Sequence, residues 1–133
     1  MDAKKKIKIM SQKNKKQFGV WMDTHQATVV GRLDEDAVNF SVVGYAGDAV
    51  PTSNLNEQER HDAKTSMNKF FKEITSHMVN ADEVHVTGTG KSQEQFINYL
   101  ADTPQFKNTI ANESTSNKMS DENLAEYIAS KFN

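Results

Sequence analysis

The chain of 133 residues contains no cysteine, and its hydrophobic residues never form a long uninterrupted run. Without cysteine, a disulfide scaffold and a thiolate metal site are both excluded. No apolar run approaches the roughly 20 residues that a membrane-spanning helix requires. The basic amino-terminal segment lacks the apolar stretch of a secretory signal, so we expect no export signal there. These absences favour a soluble protein that forms one domain and is compatible with a reducing compartment.

Charge is distributed unevenly along the chain. Residues 1–16 hold seven lysines and one acidic residue, whereas the rest holds nine basic and 17 acidic residues. We therefore predict a basic arm over residues 1–16 that contacts a polyanion such as RNA, followed by an acidic domain over residues 17–133. The alternative is a merely solvated tail. The lysines of the arm are Lys4, Lys5, Lys6, Lys8, Lys13, Lys15 and Lys16.

The first half of the domain predicts three strands. Residues 18–23 are apolar on both faces, as expected for a central strand, and residues 27–33 are rich in β-branched side chains. Residues 37–44 alternate apolar and polar side chains. Because short polar turns join the three segments, we expect an antiparallel meander.

The second half alternates helices and strands. An apolar stripe predicts a helix that Asn54 and Glu57 cap and that runs to Met78. A buried strand follows at residues 84–87, and a second helix opens at Ser92 and ends before Thr103-Pro104. Further expected elements are a strand at residues 107–113, a polar loop at residues 112–118 and a last helix that Ser120 caps, with Met119 and Leu124 as its hydrophobic staple.

This order of elements predicts an α/β fold. A meander followed by right-handed crossovers places the fourth strand parallel to the first, which gives a five-stranded mixed sheet of order 3-2-1-4-5. Helices then cover both faces of the sheet. The expected architecture is a ribonuclease H-like three-layer sandwich, although a fold alone assigns no activity.

A glycine-rich turn lies between the fourth strand and the second helix. Gly88, Thr89 and Gly90 form the turn, and Ser92 with Gln95 matches a capping box. Backbone N–H groups at such a helix start can hold a phosphate, so we predict a phosphate-binding turn made of Gly88, Thr89, Gly90 and Ser92. The other interpretation is a simple chain reversal. A nucleotide P-loop is excluded, because His85 stands where that motif requires glycine.

Metal and nucleophile chemistry receive little support. Asp23 lies where a two-metal nuclease of this fold places its first carboxylate, yet the fourth strand ends without a second one. We therefore expect Asp23 to accept backbone hydrogen bonds in a turn. Acids near the first helix start could complete only part of a metal set, and no histidines are paired as in a helical zinc site. Those acids are Glu57, Glu59 and Asp62.

The histidines differ in their prospects. His25 lies in the turn beside Asp23, where we expect it to be exposed and to contact RNA. His85 alternates with Val84 and Val86, so it either points away from the core or makes a hydrogen bond within it. No nucleophile elbow is present.

Two segments resemble a known family. They are residues 18–30 (FGVWMDTHQATVV) and residues 84–91 (VHVTGTGK), the latter followed by Phe96 and Leu100. Together they resemble the middle domain of the archaeal and eukaryotic class-1 peptide-release factors and of Pelota. They are similar above all to the small single-domain bacterial relatives described as translational machinery proteins. The resemblance covers residues 18–132.

The resemblance implies a partner and a site. In the release factors, the loop after the third strand carries a Gly-Gly-Gln tripeptide that promotes hydrolysis in the ribosomal centre. The matching segment here, residues 44–54, lacks that tripeptide. The resemblance therefore implies a cytoplasmic, non-enzymatic factor that binds the ribosome and its RNA in hibernation or rescue. The segment that would probe the functional centre includes Tyr45, Gly47, Asp48 and Pro51.

The remaining expectations follow from this interpretation. Lys91, with the arm and His25, is expected to contact RNA. No cofactor, metal, membrane or DNA is expected as a partner. Two alternatives stay open, namely a metal-dependent RNA-processing nuclease centred on Asp23 and a stress-related protein-binding module.

Overall fold

The computed structural model describes residues 15–32, 39–47 and 57–132, and for residues 57–66 it describes the backbone alone. Several residues of the predicted sites lie outside the described residues. They are the arm lysines Lys4, Lys5, Lys6, Lys8 and Lys13, the loop residues Asp48 and Pro51, and the predicted cap Asn54. The strands are β1 (Gln17–Met22), β2 (Gln26–Gly31), β3 (Ser41–Gly47), β4 (Glu83–Gly88) and β5 (Ile110–Thr115). The helices are α1 (Glu57–Ser76), α2 (Ser92–Asp102) and α3 (Asp121–Phe132), with a 3-10 turn at Pro104–Phe106.

The five strands form one mixed sheet of order β3-β2-β1-β4-β5, which confirms the predicted topology. β1 pairs antiparallel with β2, and β2 pairs antiparallel with β3. β4 lies parallel between β1 and β5. The predicted α/β fold with a crossover beside the first strand is therefore the observed one.

One face of the sheet packs against α1 and α2. The alternating strand residues Val20, Val29 and Val86 point to this face and are fully buried. The helices contribute a closely packed aromatic group, in which the rings of Phe71 and Phe96 lie 5.4 Å apart between centroids. Burial of this apolar surface is the main source of stability for the domain.

The opposite face packs against α3 alone. Trp21, Leu124 and Ile128 are the buried centre of a smaller apolar cluster, which Phe40 closes by stacking on Phe132 at 5.7 Å between ring centroids. The Asn123 N–H donates to Ser120 Oγ at 3.1 Å, and Met119 packs on the same cluster as Leu124. The predicted cap and staple of this helix are confirmed. Among the helices that the structure describes, none is long and apolar enough to cross a membrane.

The third strand begins and ends later than predicted. It was expected at residues 37–44 but spans Ser41–Gly47, because Gly44 lies inside it rather than opening a loop. A Cβ at Gly44 would lie 2.2 Å from Nδ1 of His77, so glycine there lets the end of α1 pack against the strand. A bulge opposite Val29 and Val30 shifts the register at this point.

The last strand was also misplaced. It was expected at residues 107–113 and lies at Ile110–Thr115, so much of the segment predicted as a polar loop is strand. This strand is an edge strand whose polar side chains are mostly exposed, which hides the alternation of a buried strand. The preceding helix ends before Thr103, whose extended backbone confirms the effect of Pro104.

Candidate functional site at the carboxyl edge of the sheet

The carboxyl ends of β1, β3, β4 and β5 lie along one edge of the sheet. Met22 pairs with Gly88, and Gly88 pairs with Thr115. The end of β3 reaches the same edge, because Gln26, just after the first turn, pairs with Gly47. We call this edge the carboxyl edge, and it is where open α/β sheets hold their ligands.

The turn between β1 and β2 is held by Asp23. Its Oδ1 accepts the N–H of His25 at 2.7 Å and the N–H of Gln26 at 2.8 Å. The expected role of Asp23 as a turn residue is confirmed. His25 is exposed at the tip of this turn, as predicted.

A metal site finds no support at this position. Met22 lies opposite Gly88, so the neighbouring strand brings no carboxylate next to Asp23. Within residues 15–32, 39–47 and 57–132, no three histidine or acidic side chains are grouped as metal ligands. The side chains of Glu57, Glu59 and Asp62 lie outside the described residues.

The glycine turn after β4 contains two glycines with different roles. A Cβ at Gly88 would lie 2.0 Å from the carbonyl oxygen of Met22, so only glycine permits this approach of β4 to β1. A Cβ at Gly90 would meet nothing within 4 Å, and no glycine in the described residues has a positive φ. Packing therefore requires glycine at position 88 but does not require it at position 90.

The predicted capping box at Ser92 is wrong. Lys91 is the residue that precedes α2, and no side chain caps the helix. Ser92 lies inside the first turn and is buried. The local hydrogen bonding is instead organised by Gln93, whose Oε1 accepts the Gly90 N–H at 3.3 Å.

Gln93 is the structural residue that the motif analysis missed. Its side chain is 1% exposed, and its Nε2 donates to the carbonyl oxygens of Gly88 and Ser114, each at 3.1 Å. One amide thus ties the glycine turn to β4 and β5. Its position three residues before Phe96 and seven before Leu100 places it on the inward stripe of α2, which is the signal that could have identified it.

The Gly88–Ser92 turn remains a predicted phosphate site. Thr89, Gly90 and Lys91 are exposed, so an anion can approach the turn from solvent. The Gly90 N–H is shared with Gln93, and the long 3.3 Å separation marks that hydrogen bond as weak.

Tyr45 and Gly47 lie in strand β3, not in a loop as expected. The Tyr45 ring is 58% exposed, and its hydroxyl donates to Oδ2 of Asp121 at the start of α3. That hydrogen bond to a carboxylate raises the pKa of Tyr45 above its ordinary value. The Gly47 N–H donates to Glu73 Oε1 at 3.2 Å.

Three basic side chains lie at this edge on separate connections. His25 lies in the first turn, Lys91 in the second, and Lys118 in the connection between β5 and α3. Lys118, which the sequence analysis did not select, is exposed and places its Nζ 6.0 Å from the centre of the Trp21 ring. The Trp21 Nε1 donates to the carbonyl oxygen of Asn117 at 3.2 Å, which helps to hold this connection against β1.

Two lysines of the predicted arm lie at the opposite edge, which we call the amino edge. Lys15 Nζ is 3.5 Å from Glu83 Oε1, and the Lys16 N–H donates to Asp82 Oδ2 at 2.8 Å. The carbonyl oxygen of Lys16 also accepts the N–H of Asp82 at 2.8 Å. The structure therefore does not bring these two lysines together with His25 and Lys91. The length of β1 separates them, about 20 Å at 3.3 Å per residue.

A cluster of hydroxyl groups lies beneath α3 on β4 and β5. His85 is 8% exposed, and its Nε2 lies 2.8 Å from Ser114 Oγ. Ser114 Oγ also contacts Thr87 Oγ1 at 3.0 Å and the Tyr127 hydroxyl at 2.8 Å. Of the two positions left open for His85, the structure shows the internal hydrogen bond. Ser114 is held by three partners, so the network serves packing rather than a free nucleophile.

The cluster shifts the titration of two side chains in the same direction. Burial, and then the positive charge of Lys131, lower the pKa of His85 below its usual 6.5. The hydrogen bond with Ser114 is the main cause that lowers the pKa of Tyr127, and Lys131 contributes too. A neutral His85 is therefore the form that packs under α3 at neutral pH.

Comparison with known proteins gives a likeness in structure. No protein-family model matches the chain, and no curated protein matches it in sequence. The structure is similar to Pelota from Archaeoglobus fulgidus, with 11% identity and a TM-score of 0.54 over 97% of this chain. It is also similar to the archaeal translation termination factor aRF1, with 18% identity and a TM-score of 0.55 over 87% of this chain.

A second Pelota gives the same result. The protein from Thermoplasma acidophilum has 14% identity and a TM-score of 0.54 over 92% of this chain. The likeness shows a shared fold. The chain spans 38%, 34% and 36% of the lengths of these three proteins, in the order given, so it corresponds to one part of each.

Proposed function

We propose that this protein is a ribosome-associated translation factor that binds ribosomal RNA and acts in ribosome hibernation or rescue without hydrolysing a bond. It would work in the cytoplasm, with no membrane and no DNA as a partner. The carboxyl edge would face the RNA, and the arm lysines that precede Lys15 would reach phosphates around it.

The observation that carries the proposal is the arrangement of the carboxyl edge. His25, Lys91 and Lys118 come from three different connections at this edge, and Thr89, Gly90 and Lys91 of the glycine turn are exposed. Phosphate groups are the natural ligands of such an edge, because cations and backbone donors both favour anions. The shared fold with Pelota and aRF1 supports ribosomal RNA as the source of those phosphates.

The absence of hydrolysis rests on the sequence. A Gly-Gly-Gln tripeptide occurs nowhere in the 133 residues, and Gly47 is followed by aspartate and alanine. The positions resembling the catalytic segment of release factors thus lack its chemistry. A role in occupying the ribosome is the function that we propose for this fold and this edge.

Co-sedimentation with purified ribosomes over a salt series tests the proposal. We expect stoichiometric binding at low salt that weakens steadily as salt rises, because phosphate contacts release counterions. Ribosomes from stationary-phase cells should bind more protein than ribosomes from growing cells. Release of peptide from loaded ribosomes, measured in parallel, should not exceed the rate without protein.

A matched control separates the edge from general charge. Lys72→Ala with Lys107→Ala removes two exposed charges from the side of the domain where Asn80 and Phe106 lie, near the amino edge, and should leave binding unchanged. No pelleted protein at low salt would overturn the proposal. Binding that is insensitive to salt would instead overturn the phosphate contacts.

A further inference from the structure

A groove runs between the start of β3 and the outer side of α3. It has a volume of 680 Å³ and is lined by Phe40 and Val42 on the sheet side. On the helix side, Ala125 and Ala129 lie one turn apart and form an apolar strip. These small side chains are what leave the groove open, since β3 is at the edge of the sheet and no further strand covers it in the described part of the chain.

The helix rim of the groove is acidic. Glu122 and Glu126 lie four residues apart on α3, both are exposed, and both line the groove. Like charges at this spacing repel each other, so a cation between them stabilises the helix. Among the described residues, neither carboxylate has an ion-pair partner. The groove therefore combines an apolar floor with unneutralised negative charge.

The amino-terminal arm has the complementary pattern. Lys6, Ile7, Lys8 and Ile9 alternate charged and β-branched residues, as an extended segment with one basic and one apolar side would. Residues two apart in an extended chain are about 6.6 Å apart, and residues four apart in a helix are about 6 Å apart. The spacing of the two lysines thus matches that of the two glutamates, and the spacing of the two isoleucines matches that of the two alanines.

The position of Lys15 makes the contact possible. Phe18 pairs with Gly31, and Gly31 pairs with Ser41, so the chain enters β1 at the edge where the groove begins. β1 and β3 are two strand spacings apart, about 10 Å. The six residue steps from Lys15 to Ile9 span up to about 20 Å when extended, which is enough to reach the groove.

We infer that residues 6–9 of the arm dock in this groove of their own chain. Lys6 and Lys8 then lie beside Glu122 and Glu126, and the two isoleucines lie against Ala125 and Ala129. The arm then has two anionic alternatives, its own acidic groove and an external polyanion. The inference is independent of the proposed ribosomal role.

Paramagnetic broadening in the full-length protein tests the docking. Because the chain has no cysteine, Ala3→Cys carries a single nitroxide label. We expect loss of amide intensity at Val42, Ala125 and Ala129, and recovery of that intensity as salt is raised. A mixture of labelled protein and isotope-enriched unlabelled protein should show no such loss, since the contact is within one chain.

Charge exchange identifies the pairing. Glu126→Lys in the labelled protein should remove the broadening, and adding Lys8→Glu should restore it. Glu113→Lys, on the exposed edge strand β5, is the matched control and should change nothing. Unshifted core amides in each variant would show that the fold is intact.

The contrary outcomes are distinct. Broadening that persists in Glu126→Lys, or that is absent from the groove of the unmodified sequence, would overturn the docking. Broadening that occurs only in the mixed sample would assign the groove to a second copy of the chain and would equally overturn the inference.

Discussion

The two edges of the sheet use positive charge differently. At the amino edge, Lys15 is paired with Glu83, and the backbone of Lys16 is bound to Asp82 on both sides. At the carboxyl edge, His25 and Lys91 project from turns, and neither has an ion-pair partner among the described residues. At the amino edge, the Lys15 ammonium and the Lys16 backbone fasten β1 to β4, whereas the Lys91 ammonium at the carboxyl edge remains available to an anion. A lysine count alone does not distinguish these two uses.

The contacts of Lys15 and Lys16 also show that the last two residues of the predicted arm belong to the sheet. Removing residues 1–16 would remove the Lys16 carbonyl oxygen, which accepts hydrogen bonds from Asp82 and Glu83. Such a deletion would weaken the sheet as well as the proposed RNA contact. A deletion that ends at residue 14 separates the two effects.

The largest expected effect comes from adding a side chain at Gly88, where β4 closely approaches β1 at the carboxyl edge. Gly88→Ala should lower the free energy of unfolding by about 3 kcal/mol, because the new Cβ would overlap the Met22 carbonyl oxygen. Gly90→Ala meets no neighbour and should change it by less than about 1 kcal/mol. Urea unfolding measures both, and equal losses would contradict the different roles assigned to the two glycines.

Removing residues 1–14 should come next in size, on ribosome binding rather than stability. The deletion takes five of the arm lysines and spares the amino edge. Each lysine that contacts a phosphate contributes about 0.7 to 0.9 to the slope of log affinity against log salt, so the slope should fall by up to about 4.5. An unchanged slope would remove the arm from the RNA contact.

A double variant at the carboxyl edge should have a smaller effect. Lys91→Ala with Lys118→Ala should lower the same slope by about 1.5, since two phosphate contacts are lost. Lys107→Ala, at the exposed start of β5 near the amino edge, is the control and should leave the slope unchanged. Equal changes in the two proteins would abolish the distinction between the edges.

The smallest effect concerns pH. The folded chain binds a proton at His85 less readily than the unfolded chain does, because burial lowers the pKa of that residue below 6.5. The free energy of unfolding should therefore fall as the pH drops below about 6.5. His85→Gln should reduce this dependence, measured by urea unfolding at several pH values. The same slope in both proteins would show that another group is responsible.

The sequence was sufficient for the topology and insufficient for two strand ends. Alternation in the meander and the handedness of crossovers predict the order 3-2-1-4-5, and both are local or chiral rules. Gly44 looked like a loop residue because its partner, the His77 ring, comes from the end of α1. β5 looked like a loop because Ser114 is satisfied by His85 and Tyr127, which are distant in sequence.

The site followed the same division. His25 and Lys91 were found from turns, since turn residues are exposed by default. Lys118 and Gln93 were missed because their roles depend on which turns meet at the edge and on which polar groups become buried there. All seven arm lysines were predicted to contact RNA together with His25 and Lys91, because a count of charges does not tell at which edge of the sheet a lysine lies.

The most direct test of the central proposal, that the carboxyl edge faces ribosomal RNA, is cleavage of that RNA by a tethered hydroxyl-radical probe. The cysteine-free chain accepts one probe at a time, at the exposed carboxyl edge through Thr89→Cys or near the amino edge through Asn108→Cys. We predict localised cleavage of ribosomal RNA from the probe at residue 89 and much weaker cleavage from the probe at residue 108. Cleavage from residue 108 alone, or from neither position in a complex that sediments with ribosomes, would contradict the assigned edge.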